Sequence, residues 1–154
     1  MCPKGRYRVQ SARRSGWRRD SADMKKVVVT GSFDRLGSSQ VRFLEEAAKA
    51  GDVHVLLWSD ETVRSLEGEA PKFPALERLY LLQAVRYVRQ VTLVRGRVER
   101  DALPQIDTIQ PEVWIVDEAS DTSPKRTYCE ARGVEYRVLR TEDLQGFPVA
   151  RFAA

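Results

Sequence analysis

The chain has 154 residues, of which 42% are hydrophobic and 31% charged, and it contains 2 Cys and 1 His. This length suits a single domain with a buried core. The widely separated Cys2 and Cys129 exclude a disulfide framework, and the lone His54 excludes a zinc site built on paired histidines. No apolar run approaches the ~18 residues of a membrane span, so we expect a cytoplasmic protein without membrane contact.

The net charge of +4 lies in the first 23 residues, and the body therefore offers no basic field for nucleic acid. Residues 1–23 lack apolar periodicity and are rich in Arg, Ser and Gly, which predicts a disordered tail. Three interpretations of this tail stay open. It is a nucleic-acid arm with Tyr7 and Trp17 as stacking groups, an Arg-rich leader, or an extension upstream of a true start at Met24. We favour the last, with one domain over residues 24–154.

The body begins with a continuous β-branched run at residues 27–30, which predicts a strand buried on both faces. Apolar residues then recur at helical spacing over residues 41–48, and Gly51 is the expected C′ residue of that helix. A second apolar strand is predicted at residues 53–58. Ser59, followed by two acidic residues, is a typical helix start.

The second half of the body continues this alternation. Pro74 opens a longer helix, strands follow at residues 91–94 and 113–116, and residues 99–109 are predicted to be helical despite Pro104. A further helix at 124–132 ends at Gly133, before a last strand at 134–139. The pattern predicts a Rossmann-like doubly wound α/β domain with a five-stranded parallel sheet of order 3-2-1-4-5.

In such a sheet, ligands bind beyond the carboxyl ends of the strands, at the point where the strand order reverses. Here this point is the loop at residues 31–40, which faces the segment after the fourth strand. The helix that follows presents unpaired N–H groups and its positive dipole end, an arrangement that suits a phosphate.

Several short motifs, in order and at consistent spacing, resemble the cytidylyltransferase-like superfamily of nucleotidylyltransferases. Within it, the chain is similar to glycerol-3-phosphate cytidylyltransferases and to the adenylyltransferase domain of ADP-heptose synthases. The motifs that carry the resemblance are Gly31-Ser32-Phe33-Asp34, Arg42-Phe43-Leu44-Glu45-Glu46-Ala47, Gly51-Asp52, Ser59-Asp60-Glu61, Glu77-Arg78, Arg86-Tyr87-Val88, Lys125-Arg126-Thr127-Tyr128-Cys129-Glu130 and Arg140-Thr141-Glu142.

The resemblance implies in-line attack of a phosphate oxygen on the α-phosphorus of a nucleoside triphosphate, with release of pyrophosphate. Positioning and charge stabilisation would then supply the catalysis. The implied cofactor is Mg²⁺ with the triphosphate, CTP or ATP, and the implied partners are a phosphorylated sugar or polyol and a second copy of the chain. We predict no metal site made by the protein alone.

The reactive motifs of the family are altered in this sequence. Gly37 and Gln40 occupy the positions of the two histidines of His-x-Gly-His, and Ser39 replaces the intervening glycine. Glu67 stands where the family has a loop lysine, and residues 143–148 replace its Ser/Thr-rich helix start. Losing one donor to a developing oxyanion costs about 2.7–4 kcal/mol, so we expect transfer to be lost or strongly reduced. The catalytic residues themselves are unknown.

The resemblance also assigns binding residues, each with a structural alternative. Ser38 and Ser39 bind phosphate or cap the helix, and Asp34 organises its loop or binds metal. Arg78 binds the acceptor phosphate or is a solvated helix arginine paired with an acid. The full nucleotide-binding set is Ser32, Phe33, Asp34, Ser38, Ser39, Gln40, Arg140 and Thr141, and the substrate-phosphate set is Arg78 and Lys72.

Other noticeable residues favour structural roles. His54 is interpreted as a hydrogen-bonded packing residue, Cys129 as inert, and Trp58 and Trp114 as core. Two further hypotheses remain for the whole protein. It is an active transferase in which Gln40, Lys72 and Arg140 act around a metal, or an interaction module that forms a homodimer.

Overall fold

The computed structural model describes residues 24–148, so the predictions for residues 1–23 lie outside the described part. Five strands and four α-helices build the domain. They are β1 Lys26–Gly31, α1 Ser38–Ala48, β2 Asp52–Trp58, α2 Asp60–Glu67, α3 Ala75–Gln83, β3 Val88–Val94, β4 Val113–Asp117, α4 Ser123–Arg132 and β5 Glu135–Leu139, with short 3-10 turns at Glu118–Ser120 and Thr141–Leu144.

All five strands form one parallel sheet of order β3-β2-β1-β4-β5, which confirms the predicted α/β Rossmann-like fold and strand order. Val28 lies opposite His54 on one side and Trp114 on the other. Because the central strands stay in register, β1, β2 and β4 end at the same edge of the sheet.

The central strands are apolar on both faces because each face is covered. On one face, Val27 and Val29 pack in a cluster with Leu44 of α1 and Leu82 of α3. On the other face, Val28 packs in a second cluster that includes, from the rest of the chain, Trp114, Cys129, Leu103 and Ile109. Residues 95–112 and α4 therefore cover the second face.

The prediction of a helix at residues 99–109 is wrong, since the segment consists of turns and irregular backbone. Pro104 lies in its middle, where a helix would lose a hydrogen bond and clash, at a cost of about 3 kcal/mol. Leu103 and Ile109 are nevertheless buried, with Ile106 partly buried beside them. The apolar spacing thus reflects packing onto the sheet without a helix.

Helix ends follow the predicted capping residues in two of three cases. Ser59 caps α2 by accepting the N–H of Thr62 at 3.2 Å, and Gly133 ends α4 with φ +68°. Gly51, however, is not the C′ residue of α1, because the C-cap is Lys49. A Cβ at Gly51 would lie 2.1 Å from the Lys25 carbonyl oxygen, so close backbone approach requires this glycine.

Among residues 24–148, no helix has the length and apolarity to cross a bilayer.

Candidate functional site

A cavity of about 640 Å³ lies at the carboxyl edge of the sheet. Its walls come from the loops after β1, β2 and β4, from the start of α1, and from the segment after β3. The side chains that line it and enter the argument below are Ser32, Phe33, Asp34, Arg35, Ser39, Gln40, Trp58, Glu67, Glu69, Lys72, Arg100, Asp117, Lys125 and Leu144. The predicted location at the switch point of the sheet is where the cavity is found.

Asp34 organises the floor of the cavity. Its two carboxylate oxygens accept the backbone N–H groups of Lys72 at 2.7 Å and Phe73 at 2.8 Å. Partial burial acts to raise the pKa of the Asp34 carboxyl, but these two hydrogen bonds outweigh it and leave the pKa below its usual value. Phe33, beside it, has φ +47°, a strained value for a non-glycine residue. The contacts favour loop organisation as the role of Asp34.

Arg78 is fully buried, with 0% of its surface exposed, so the alternative of a solvated arginine is wrong. Its guanidinium donates to the backbone carbonyls of Ser32 at 2.7 Å, Trp58 at 2.9 Å and Phe73 at 2.9 Å, and to the Asp60 carboxylate at 2.7 Å. Four of its five N–H groups are thus used within the protein. Arg78 joins the loops that surround the cavity, and acceptor-phosphate binding by Arg78 stays a prediction.

Part of the hydrogen-bonding capacity at the start of α1 is used by the side chains of its own first turn. The Gln40 side-chain oxygen accepts the Gly37 N–H at 2.8 Å and the Ser39 hydroxyl at 3.3 Å. This is the N3-to-cap hydrogen bond of a capping box. Because the amide oxygen faces Gly37, the amide NH₂ faces away and keeps its donors. Ser39 lines the cavity, whereas Ser38 lines a separate groove beside α1.

The loop after α2 brings two opposite charges to the cavity. Glu67 is the last residue of α2, and Lys72 follows on the stretch that Asp34 anchors. Both line the cavity, together with Glu69. The cavity therefore contains a lysine near the expected position, beside a carboxylate that repels phosphate.

Arg140 and Thr141 lie outside the lining of the cavity. The Arg140 guanidinium donates to Glu142 at 3.4 Å, and the Thr141 hydroxyl donates to the Glu118 carboxylate at 3.0 Å. The following 3-10 turn ends at Leu144, whose side chain does reach the cavity. The structure thus brings together six of the ten predicted residues and leaves Ser38, Arg78, Arg140 and Thr141 outside the lining.

Three residues of the cavity were missed by the sequence interpretation. Arg100 was placed in a helix that does not form, Lys125 was assigned no role, and Trp58 was assigned to the core although it is only partly buried and lines the cavity. Trp58 is the last residue of β2, Arg100 follows β3, and Lys125 lies in the first turn of α4. That position at the binding edge of the sheet was the available signal.

His54 and Cys129 are placed in the interior, as expected. His54 is the third residue of β2 and is buried. This burial lowers the pKa of its imidazole. Its Nδ1 has no partner within residues 24–148, so the expected hydrogen bond at that atom is absent there. Burial raises the pKa of the Cys129 thiol, which keeps it protonated and unreactive.

The carboxylates of the cavity do not form a preassembled metal centre. Across residues 24–148, no group of three or more His, Cys, Asp or Glu side chains is arranged to hold a metal ion. Asp34 has both oxygens occupied by backbone N–H groups, and Asp117 accepts the N–H of Ser120 at 2.9 Å. Mg²⁺ is commonly held by one or two carboxylates together with ligand phosphates, so the carboxylates of this cavity suit Mg²⁺ only in the company of a phosphate ligand.

A doubly wound parallel sheet with its cavity at the switch point defines a Rossmann-like class of α/β protein, and the comparisons with known proteins narrow that class. Residues 28–143 match the cytidylyltransferase-like family. The chain belongs to the cytidylyltransferase-like family.

Its relatives include FAD synthases of archaea. The FAD synthase of Methanolacinia petrolearia is 31% identical over 126 residues, spanning 80% of this chain and 82% of that protein. The FAD synthase of Ferroglobus placidus is 34% identical over 119 residues, which is 76% of each chain. The lipopolysaccharide core biosynthesis protein of Thermoplasma volcanium shares the fold, with a TM-score of 0.61, 22% identity, and coverage of 76% of this chain and 95% of that one.

Proposed function

We propose that this protein binds a nucleoside triphosphate in the cavity and that its nucleotidyl transfer to a phosphorylated acceptor is lost or strongly reduced. The observation that carries this proposal is the start of α1. An open cavity borders it, yet Gly37 and Gln40 supply no imidazole there, and the Gln40 oxygen is turned back onto the Gly37 N–H. Binding groups are therefore present where the reacting groups of the family are missing.

The reaction in question forms a bond between an acceptor phosphate oxygen and the α-phosphorus, and it breaks the bond from the α-phosphorus to the bridging oxygen. Pyrophosphate leaves with that electron pair. A protein accelerates such a step by alignment and by donors that meet the developing charge. Here Ser39, the amide NH₂ of Gln40 and Lys72 are the donors at hand, with Ser32 and Phe33 shaping the loop beneath them. A neutral amide is a weaker donor to an anion than a charged imidazolium.

ATP and flavin mononucleotide are the first pair to test, because FAD is an adenylyl group joined to that phosphate and relatives are named FAD synthases. CTP with sugar or polyol phosphates is the second pair. Mg²⁺ would accompany the triphosphate, with Glu67, Glu69 and Asp117 as the cavity carboxylates able to share it. We propose that the protein binds its nucleotide in the cytoplasm, through a single domain of residues 24–154.

The test combines binding with gain of function. Calorimetric titration with Mg-ATP and Mg-CTP measures binding, and pyrophosphate release in the presence of each acceptor measures transfer. We expect binding with slow or absent release. The Gly37→His/Gln40→His variant should raise release by about 10²-fold or more, since each restored donor contributes on that scale. Wild-type turnover that the variant does not increase would overturn the proposal.

A second candidate, a homodimeric interaction module, has one observation in its favour. The α3 helix exposes apolar side chains, with Leu76 and Tyr80 each 73% exposed and Phe73 and Leu81 partly exposed beside them. Sedimentation velocity distinguishes the two. A dimer that dissociates in the Leu76→Glu/Tyr80→Glu variant, in a protein that binds no nucleotide, would favour the interaction module.

A further inference from the structure

Lys125 is a charged side chain held in nearly complete burial at the edge of the cavity. It is 4% exposed, lies in the first turn of α4 and lines the cavity wall that β4 leads into. Its ammonium donates to the Ser120 carbonyl and lies 5.8 Å from the centroid of the Trp114 ring. An ammonium has three donors, so two are left for a ligand or for water.

The charge of Lys125 has no direct counter-ion. Within residues 24–148, no carboxylate lies within the 4.0 Å of an ion pair with it. The nearby acids are already engaged: Asp117 by the Ser120 N–H at 2.9 Å, Asp121 by Arg126 at 2.8 Å, and Asp101 by the Thr122 hydroxyl at 2.8 Å. Burying an ammonium without an ion-paired carboxylate is costly. A side chain kept in that state beside a cavity is well suited to an incoming anion.

Arg100 adds a second positive charge to the same wall. It lines the cavity and donates through Nη2 to the Leu66 carbonyl at the end of α2, which uses one of its five N–H groups. Burial lowers the pKa of the Lys125 ammonium and repulsion from Arg100 adds to this, while the nearby Asp101, Asp117 and Asp121 carboxylates partly offset the shift. Neither cation forms an ion pair within residues 24–148, so both charges can act on a multiply charged anion.

The wall is organised before any ligand arrives. The Asp101 carboxylate accepts the Thr122 hydroxyl at the cap of α4, which ties the segment after β3 to the helix that carries Lys125. Arg100 ties the same segment to α2 through Leu66. Both cations are therefore attached to a wall with fixed connections, and little ordering is required on binding.

We propose that Lys125 and Arg100 form a polyphosphate-binding wall that holds the β- and γ-phosphates of the nucleotide and the pyrophosphate derived from them. The identification of that polyphosphate as part of a nucleotide rests on the function proposed above. The ligand class is a di- or triphosphate anion, which the wall would bind from the segment after β3 and the start of α4. This arrangement supplies the positive charge that Gly37 and Gln40 do not.

The test uses the full chain and two simple probes, inorganic pyrophosphate and tripolyphosphate, followed by Mg-ATP. We expect wild type to bind both probes, with an affinity that falls as salt rises. Lys125→Met should weaken binding about 10- to 100-fold, as loss of a charge-assisted contact does. Arg100→Gln, at an exposed position that should not disturb folding, should weaken it about 10-fold. Lys49→Met, which removes an exposed lysine of the α1 terminus, is the matched control and should bind as wild type does.

The outcomes separate the two proposals. If Lys125→Met and Arg100→Gln bind pyrophosphate and Mg-ATP as tightly as wild type, the wall is refuted while nucleotide binding stands. If wild type binds the inorganic probes through these residues but binds no nucleotide, the wall stands and the proposed function fails. Failure of wild type to bind any of the three overturns both. Thermal unfolding of each variant verifies folding independently.

Discussion

The two walls of the cavity offer an anion very different surroundings. The α1 wall is uncharged at Gly37, Ser39 and Gln40, and part of its hydrogen-bonding capacity is spent within the helix. The wall formed by the segment after β3 and the start of α4 carries Lys125 and Arg100, each of which has N–H groups beyond the one hydrogen bond given for it. The comparison shows that loss of the histidine motif does not remove positive charge from the cavity. Lys125 and Arg100, which lie outside that motif, still supply it.

The largest expected effect removes the side chain that joins the ends of β1 and β2 to the start of α3. Arg78→Met takes away four hydrogen bonds and leaves the partly buried carbonyls of Ser32, Trp58 and Phe73 without their donor. We expect the free energy of unfolding to fall by about 3–5 kcal/mol, measured by urea denaturation. Arg89→Met, at an exposed position of β3, should change it by less than about 0.5 kcal/mol. Equal stability of the two variants would contradict the scaffold role.

The next largest effect concerns Asp34, which anchors the segment before α3 to the loop after β1. Asp34→Asn weakens the hold on the Lys72 and Phe73 N–H groups and should cost about 1–3 kcal/mol of unfolding free energy at pH 7. Because the folded pKa of Asp34 is lowered, this stabilisation is present above the unfolded pKa of about 3.9 and is lost as pH falls through the folded pKa. Glu69→Gln is the isosteric control, and a difference between wild type and Asp34→Asn that persists well below pH 3 would refute the assignment.

A third prediction sharpens the contrast on the α1 wall itself. Gln40→Ala removes the acceptor of the Gly37 N–H and should destabilise the protein by about 0.5–2 kcal/mol. Gln40→Glu keeps the acceptor and adds a negative charge at the helix start, so its stability should match or exceed that of wild type. The same glutamate should weaken pyrophosphate binding by repulsion. Tighter binding by Gln40→Glu would show that this wall does not face the anion.

The smallest effect concerns the sheet beneath both walls. Burial lowers the pKa of His54, so its imidazole is neutral in the folded protein at pH 7. The unfolded chain binds a proton near pH ~6.5, and folding stability should therefore decline as pH falls from about 7 to 5. His54 is the one histidine of the chain, so its ring resonance in NMR titrates without overlap. An apparent pKa above that of a free histidine, or no pH dependence beyond that of His54→Gln, would contradict the burial argument.

The fold was accessible from the sequence because local signals agreed with one another. The β-branched run of β1, the Ser59 cap and the Gly133 stop each fix an element boundary by short-range chemistry. The segment at 99–109 was misassigned for the opposite reason. Its apolar residues pack with Trp114 and the neighbouring sheet, and this long-range packing leaves no local signature in the sequence other than Pro104.

The site was only partly accessible. Asp34 and Gln40 were predictable because both lie in the short stretch from the end of β1 to the first turn of α1, whose motif is visible in the sequence. The burial of Arg78 depends on three carbonyls from separate loops, and the juxtaposition of Lys125 with Arg100 depends on the Asp101–Thr122 hydrogen bond. These contacts join segments that are far apart in the chain, and they cannot be predicted from residue types alone.

The placement of the tryptophans gives this protein an optical readout of its own. Trp114 is enclosed, edge-on to Tyr128 and Tyr136, with the Lys125 ammonium above its ring, whereas Trp58 borders the cavity. An anion that draws the ammonium away from the indole would alter the emission of Trp114, and a ligand lying against Trp58 would quench a different, more solvated emitter. The chain has a third tryptophan, Trp17, outside the described residues. In a Trp17→Phe background, single Trp→Phe replacements at Trp58 and Trp114 would resolve the two signals and report occupancy of each side of the cavity without any label.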